Sequence, residues 1–346
     1  MKQTLYTKEQ HWLDKWDVFV QSNSNGSYLQ FSDWAKSYTS YGFDFELCLL
    51  LNNKTIIGGY CAVFAKVTFF KFYILPVGPL FSENQPELLN ELVALVPKRA
   101  AEIKACYCQI AIPNLGFELP ALKIYNSGQL FKYIYSPNGL NWVDLKKYSD
   151  SEILLLDFKS SVRRDIRSSN RKGLSVAFLS DKEEIAKAYQ LVMDNASERN
   201  YAIRNWNEIN TTVLSLIEKK SAQFIGAYKN SELKGAIFIV KSGNYYTYVF
   251  GGTKKENPDL LVGHFLQWEA LKLSISEQCV GYNISLGGSS GVVAFKNNFN
   301  AQEIPFENSK FYKVINSFLF TFFLYFEKYM KPYKKRIARV LSVFKK

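Results

Sequence analysis

The chain has 346 residues, 47% of them hydrophobic and 16% aromatic, and 43 basic against 31 acidic residues leave a net charge of +12. That length exceeds one average core and points to two domains of roughly 150 residues each, while the apolar content excludes a largely disordered chain. The excess positive charge points to a polyanionic partner; nucleic acid, an anionic membrane and a phosphorylated substrate all meet that description.

The five cysteines, Cys48, Cys61, Cys106, Cys108 and Cys279, are odd in number and sit mostly inside apolar runs. They read as buried free thiols of a reducing compartment, with no second pair to complete a zinc site. With His11 and His264 as the only histidines, neither a histidine-based triad nor a metal centre is expected. The start, Met1 to Leu5, leads into polar residues without the apolar core of a signal peptide. No stretch reaches the roughly 18 apolar residues that span a bilayer. A cytoplasmic location, at the inner face of the plasma membrane, is the expectation.

Residues 47–64 read as an apolar strand, an Asn52-Asn53-Lys54 turn, and a second strand entered through Gly58-Gly59. A strand from Phe69 to Leu75, the loop Pro76-Val77-Gly78-Pro79, a helix over Pro86 to Lys104 and a strand over Tyr107 to Ile112 follow. The order returns further on. Residues 222–240 form a hairpin around Lys229-Asn230-Ser231, Tyr245 to Phe250 is a strand, Gly251 to Pro258 a loop, Leu260 to Gln278 a helix and Gly281 to Leu286 a strand. Between the copies, helices are predicted at Ser151 to Arg171, ended by Gly173, and at 182–198 and 207–220. Hairpin, strand, loop, helix and strand in that order describe a mixed α/β (α+β) unit with a crossover helix. This is the order of the acetyltransferase-like (GNAT) fold, so two tandem GNAT-like lobes with mixed sheets are expected. The division predicted is a first lobe over 1–147, completed by 308–330, a second over 148–307, and a basic amphipathic helix over 331–346.

No Walker loop, dinucleotide fingerprint or G-x-S-x-G elbow occurs. Neither lobe carries the Arg/Gln-x-x-Gly-x-Gly/Ala loop that would hold the pyrophosphate of coenzyme A at a helix start, which points to another acyl donor. The segments Tyr28-Leu29-Gln30-x-x-x-Trp34-Ala35-Lys36, Pro76-Val77-Gly78-Pro79 and Phe158-Lys159-x-x-x-Arg163-Arg164 resemble motifs of the FemABX family of non-ribosomal peptidyltransferases. So do Tyr246-Thr247-Tyr248-x-x-Gly251-Gly252, Tyr282-Asn283-x-x-x-Gly287 and Gly291-x-x-x-Phe295-Lys296-x-x-Phe299, all in family order. The long helical arm of the staphylococcal-type members is absent, so the resemblance is to the armless FemX-like branch.

That resemblance implies transfer of an amino acid from aminoacyl-tRNA to a peptidoglycan precursor, lipid II or UDP-MurNAc-pentapeptide, by a monomer with no cofactor beyond the tRNA co-substrate. It implies a catalytic Lys296, preceded by Phe295, where positive charge would meet the developing oxyanion. It also makes Tyr248, Arg204 and Lys36 candidates for holding substrate, and a guanidinium suits bidentate capture of phosphate or carboxylate. Each also reads as an ordinary sheet tyrosine or surface charge. Arg163, Arg164, Arg167, Arg171 and Lys172 recur at helical spacing as a candidate tRNA-phosphate face, or as a solvated helix. Three positions depart from the family: Asn300 stands where many relatives have Gly, Asn283 replaces a common Asp, and Ile112 precedes Pro113 where an acidic residue is frequent. No carboxylate base is therefore named. Other readings are an acyltransferase acting on an exopolysaccharide or other envelope glycan, and a non-catalytic tRNA- or membrane-binding relative.

Phe318 to Phe326 reads as an apolar helix packed back on the first lobe. Beyond Pro332, Ile337, Val340, Leu341 and Phe344 share a helical face among Lys and Arg residues, the pattern of an interfacial helix on anionic lipid.

Overall fold

A computed structural model describes residues 2–67, 70–113, 125–126, 131, 134–288, 290–307 and 309–330. The expected tail helix, 331–346, lies outside them. Strand β1 (Lys2–Thr7) leads into α1 (Gln10–Ser22) and the short α2 (Ser32–Lys36). Then come β2 (Asp44–Asn52), β3 (Thr55–Val67), β4 (Phe70–Leu75), β5 (Leu80–Phe81), α3 (Leu88–Glu102), β6 (Tyr107–Ala111) and β7 (Tyr125–Asn126). β8 (Gly139–Asp144) is followed by α4 (Ser151–Asp157), α5 (Ser160–Arg171), β9 (Ser175–Leu179), α6 (Lys182–Glu198) and α7 (Trp206–Glu218). The second hairpin is β10 (Ala222–Lys229) and β11 (Glu232–Ser242), continued by β12 (Tyr245–Thr253), α8 (Val262–Ser276) and β13 (Gly281–Asn283). Last come α9 (Ser290–Asn297), β14 (Gln302–Pro305), β15 (Lys310–Val314) and α10 (Ser317–Tyr325).

Two mixed sheets result. One runs β1-β2-β3-β4-β6-β15-β7, with β5 on β3; the other runs β14-β8-β13-β12-β11-β10-β9. Each has one parallel pair joined by a crossover helix: β4 with β6 through α3, and β12 with β13 through α8. The two hairpins turn alike. Asn53 and Lys54 (φ 48° and 66°) and Asn230 and Ser231 (φ 50° and 63°) are all left-handed, as a two-residue hairpin turn of matching twist requires. The mixed α/β fold with two tandem GNAT-like lobes is therefore present.

The lobes are not cut at one point in the sequence. β8, which the sequence division puts in the first lobe, hydrogen-bonds to β13 and β14 and so belongs to the second sheet. β15 returns to pair with β6 and β7 in the first sheet. The helix expected over Ser151 to Arg171 is two. Phe158 leaves helical geometry (φ −70°, ψ 154°) to bury its ring against Trp268 and Phe299. α5 then ends as expected, with Gly173 at φ 78°.

One hydrophobic core joins both lobes. It runs from Trp16, Phe72 and Tyr107 of the first into Tyr189, Phe224 and Phe238 of the second. At its edge Lys219, just past the end of α7, reaches across to Asp33 (2.7 Å) and the buried Asp17 (3.1 Å). α10 packs on the first sheet through Phe320 and Phe323. All five cysteines are buried free thiols.

Candidate active site

The site grows out of the parting of β12 and β13. They pair only over Tyr245–Thr247 and Gly281–Asn283, because β13 ends there and β12 runs on to Thr253. The β12–β11 register also skips Val249, so β12 bulges just beyond Tyr248. α8 packs close on this pair of strands because Gly235 has no side chain: a Cβ there would lie 2.5 Å from Val262. Past Asn283 the chain curls back through Ser285 (φ 64°), Gly287 (φ 85°) and Gly288 (φ 126°). At Gly287 that conformation favours glycine.

Lys296 fills the curl. Phe295 and Lys296 lie in the last turn of α9, and only 7% of the Lys296 surface is exposed. Its Nζ donates to the carbonyls of Ser285 and Gly287, each at 2.9 Å, and lies 5.9 Å from the centre of the Tyr248 ring. Burial lowers its pKa from 10.5 to about 8. Two carbonyls occupy two of the three ammonium hydrogens and fix the direction of the third. The Ser285 hydroxyl donates to the Tyr248 carbonyl and ties the curl to β12. Burial raises the Tyr248 phenol against the opposing pull of Arg199, so it stays protonated. A buried, aimed ammonium near the Tyr248 ring is suited to a developing oxyanion.

Phe295 stands beside Lys296, its ring 4.9 Å from that of His264 and 5.3 Å from that of Phe299. His264, in the first turn of α8, also has Nε2 3.9 Å from Asp165. Burial lowers its pKa despite Asp165 and Asp259. It supports the Phe295 ring.

The other candidates separate. Arg204 donates to the Ser37 hydroxyl at 2.5 Å, and its guanidinium lies 4.6 and 4.9 Å from the ring centres of Tyr38 and Tyr41. Lys36 is the exposed residue just before Ser37, so these two cations share the junction between lobes. The basic helix divides by role. Arg163 donates to the carbonyls of Leu156 (2.6 Å) and Phe158 (2.8 Å), closing the end of α4, and the Lys172 amine takes the Asp259 carbonyl. Arg164 is exposed beside Asp165 (3.3 Å), and Arg167 is exposed.

The three departures have structural explanations or none. Asn300 adopts φ 55°, a conformation glycine takes freely and asparagine tolerates, and its amide donates to Asp157. Asn283 accepts from the backbone N–H groups of Asn141 and Ser285, each at 3.1 Å, and so holds β8 and the curl together. Nothing in the structure explains Ile112. The Ser285 and Gly287 carbonyls escaped the sequence reading because backbone acceptors leave no side-chain signature. Among the described residues no cluster of three His, Cys, Asp or Glu side chains is arranged to hold a metal. A largely apolar cavity of about 340 Å³, lined by Gln30, Gly78, Trp142 and Tyr245 among others, lies between the lobes at the start of β12.

A domain model described as an acetyltransferase (GNAT) domain matches residues 157–296. The crystal structure of FemX is similar over 92% of this chain and 99% of its own, with a TM-score of 0.77 at 16% identity. A conserved protein of unknown function from Bacteroides thetaiotaomicron has a TM-score of 0.61 at 11% identity, covering 90% and 99% of the two chains. The C-terminal domain assigned to a lysylphosphatidylglycerol synthetase of Agrobacterium fabrum has a TM-score of 0.55 at 13% identity, covering 90% and 94%. A search of curated proteins finds no match. The matched domain and the fold together support acyltransfer. The chain carries a GNAT-type domain within a tandem, FemX-like fold.

Proposed function

We propose that this chain transfers an amino acid from aminoacyl-tRNA to the peptide-stem amine of a peptidoglycan precursor, lipid II or UDP-MurNAc-pentapeptide. The observation that carries the reading is the buried, aimed ammonium of Lys296 at the parting of β12 and β13. The acceptor amine attacks the ester carbonyl, and the oxyanion that forms is met by the third hydrogen of Lys296. The C–O bond to the tRNA ribose then breaks, and the proton from the amine passes to the leaving ribose oxygen through a substrate or tRNA group. No side chain is assigned as base: Asn283 and Asn300 are occupied in holding the backbone. Arg164 and Arg167 are the exposed cations assigned to tRNA phosphate, and Lys36 and Arg204 are assigned to acceptor phosphate or carboxylate. Phe295 is the ring that packs against substrate beside Lys296.

A second reading, transfer from a coenzyme A thioester to an envelope glycan, is favoured by the acetyltransferase domain match. It is disfavoured by the absence of the pyrophosphate loop before α8. The assay that separates them mixes purified protein with charged tRNAs or acetyl-CoA and with lipid II or UDP-MurNAc-pentapeptide, and weighs the products. A mass gain of one amino-acid residue from aminoacyl-tRNA is expected. Gain only from the thioester would replace the first reading by the second.

A further inference from the structure

α10 is aromatic on both its inner and its outer side. Its inner side is committed to the first lobe: the Phe323 ring is 4.7 Å from Phe72 and 5.4 Å from Phe70, and Phe320 is 5.2 Å from Tyr107. Its outer side is open. Phe318 is 79% exposed and Tyr325 58% exposed, and Tyr329 in the following turn is 47% exposed. With Phe322, which touches Phe70 at its edge and is 43% exposed, these residues are spaced by four, three and four. That is one stripe along a helix. Isolated exposed apolar residues are ordinary, but a contiguous aromatic stripe marks a contact surface.

Charge and the aromatic stripe together point to the partner. From Lys328 to Lys346 the sequence holds eight basic residues and no acidic one, against a net charge of +12 for the whole chain. The stripe thus leads directly into the most concentrated positive charge of the protein. Phe and Tyr are the side chains that settle at the headgroup level of a bilayer, and clustered Lys and Arg are drawn to anionic headgroups. The described residues contain no helix long and apolar enough to cross a membrane, so the contact would be made at the surface.

We infer that the outer face of α10, through Phe318, Phe322, Tyr325 and Tyr329, docks the first lobe on an anionic lipid bilayer. Binding takes both the aromatic stripe and the adjoining positive charge, and it does not depend on which acyl group the enzyme transfers.

The test uses the full chain and sedimentation with vesicles of phosphatidylcholine alone or mixed equally with phosphatidylglycerol. The wild type should partition to the mixed vesicles and hardly at all to the neutral ones. The variant Phe318→Ser/Tyr325→Ser/Tyr329→Ser keeps every basic residue yet should partition at least ~10-fold less. Unchanged partitioning would overturn the inference and leave the basic segment alone responsible. A second measurement does not rely on that variant folding: because the native cysteines are buried, Phe318→Cys can carry a single polarity-sensitive dye. Its emission should shift to the blue on mixed vesicles; no shift overturns the proposal. A concentration-dependent dimer in light scattering, abolished by Phe318→Ser and accompanied by no vesicle binding, would assign the face to a second copy instead.

Discussion

At Lys296, burial removes the water that would otherwise favour the charge, and only two carbonyls replace it. A pKa of about 8 leaves the amine largely protonated at neutral pH and neutral above that value. The oxyanion role proposed for Lys296 needs the charged form, so kcat should fall as pH rises through about 8. Replacing Lys296 by Met should remove that alkaline limb and lower kcat by about 100-fold or more, with little change in KM for the acceptor. A kcat profile over the neutral to alkaline range checks both. Linkage has the opposite sign. The unfolded chain holds this proton up to about 10.5 and the folded chain only to about 8, so the residue adds stability as pH rises between those values. At neutral pH its buried charge opposes folding, and Lys296→Met should melt no lower than wild type there in a thermal scan. A clear fall in Tm would mean that the two carbonyl hydrogen bonds outweigh the burial of the charge.

The α4–α5 break shows one helix face serving two purposes. Arg163 and Arg167 are one turn apart, yet Arg163 holds the carbonyls that end α4 while Arg167 lies in solvent. Arg163→Ala should cost about 1–2 kcal/mol in urea unfolding, because two carbonyls lose a charged donor. Arg167→Ala should change stability by less than about 0.5 kcal/mol. If tRNA phosphate contacts this face, Arg167→Ala should still weaken tRNA binding and reduce its salt dependence by about one contact. A variant that binds tRNA as well as wild type at every salt concentration would take Arg167 out of the interface.

Across the whole molecule the lobes are held by a shared core and by a polar tie at its edge. Asp17 accepts from the Ser32 backbone N–H (2.7 Å) and hydroxyl (2.8 Å) as well as from Lys219. Burial nevertheless raises its pKa, opposed by those hydrogen bonds and by the charge of Lys219. Lys219→Met should cost about 1–2 kcal/mol in denaturant unfolding, less than a fully buried pair because the lysine remains partly exposed. A carboxyl whose folded pKa is raised binds its proton more tightly in the native state, so its contribution to stability improves as pH falls toward the unfolded value of 3.8. The deficit of Lys219→Met should therefore be smaller at mildly acidic pH than at pH 7. A deficit independent of pH would show that Asp17 does not sense Lys219.

The amino-acid sequence by itself determined the repeat. Asn53-Lys54 and Asn230-Ser231 suit left-handed turns, and alternating or helical apolar spacing around them sets strand and helix without reference to distant residues. The candidate segment Phe295-Lys296 was legible too, through its resemblance to a family motif, although its helical setting was not. What only the tertiary structure decided depends on partners far apart in the chain. Asn141 meets Asn283 across 142 positions, which brings β8 into the second sheet. The need to bury Phe158 breaks a run whose local pattern is helical throughout. Whether an arginine is a cap or a free cation, and whether a lysine lies in a loop or in a cage of carbonyls, depends on which backbone groups packing leaves within reach. Side-chain type and spacing do not encode that.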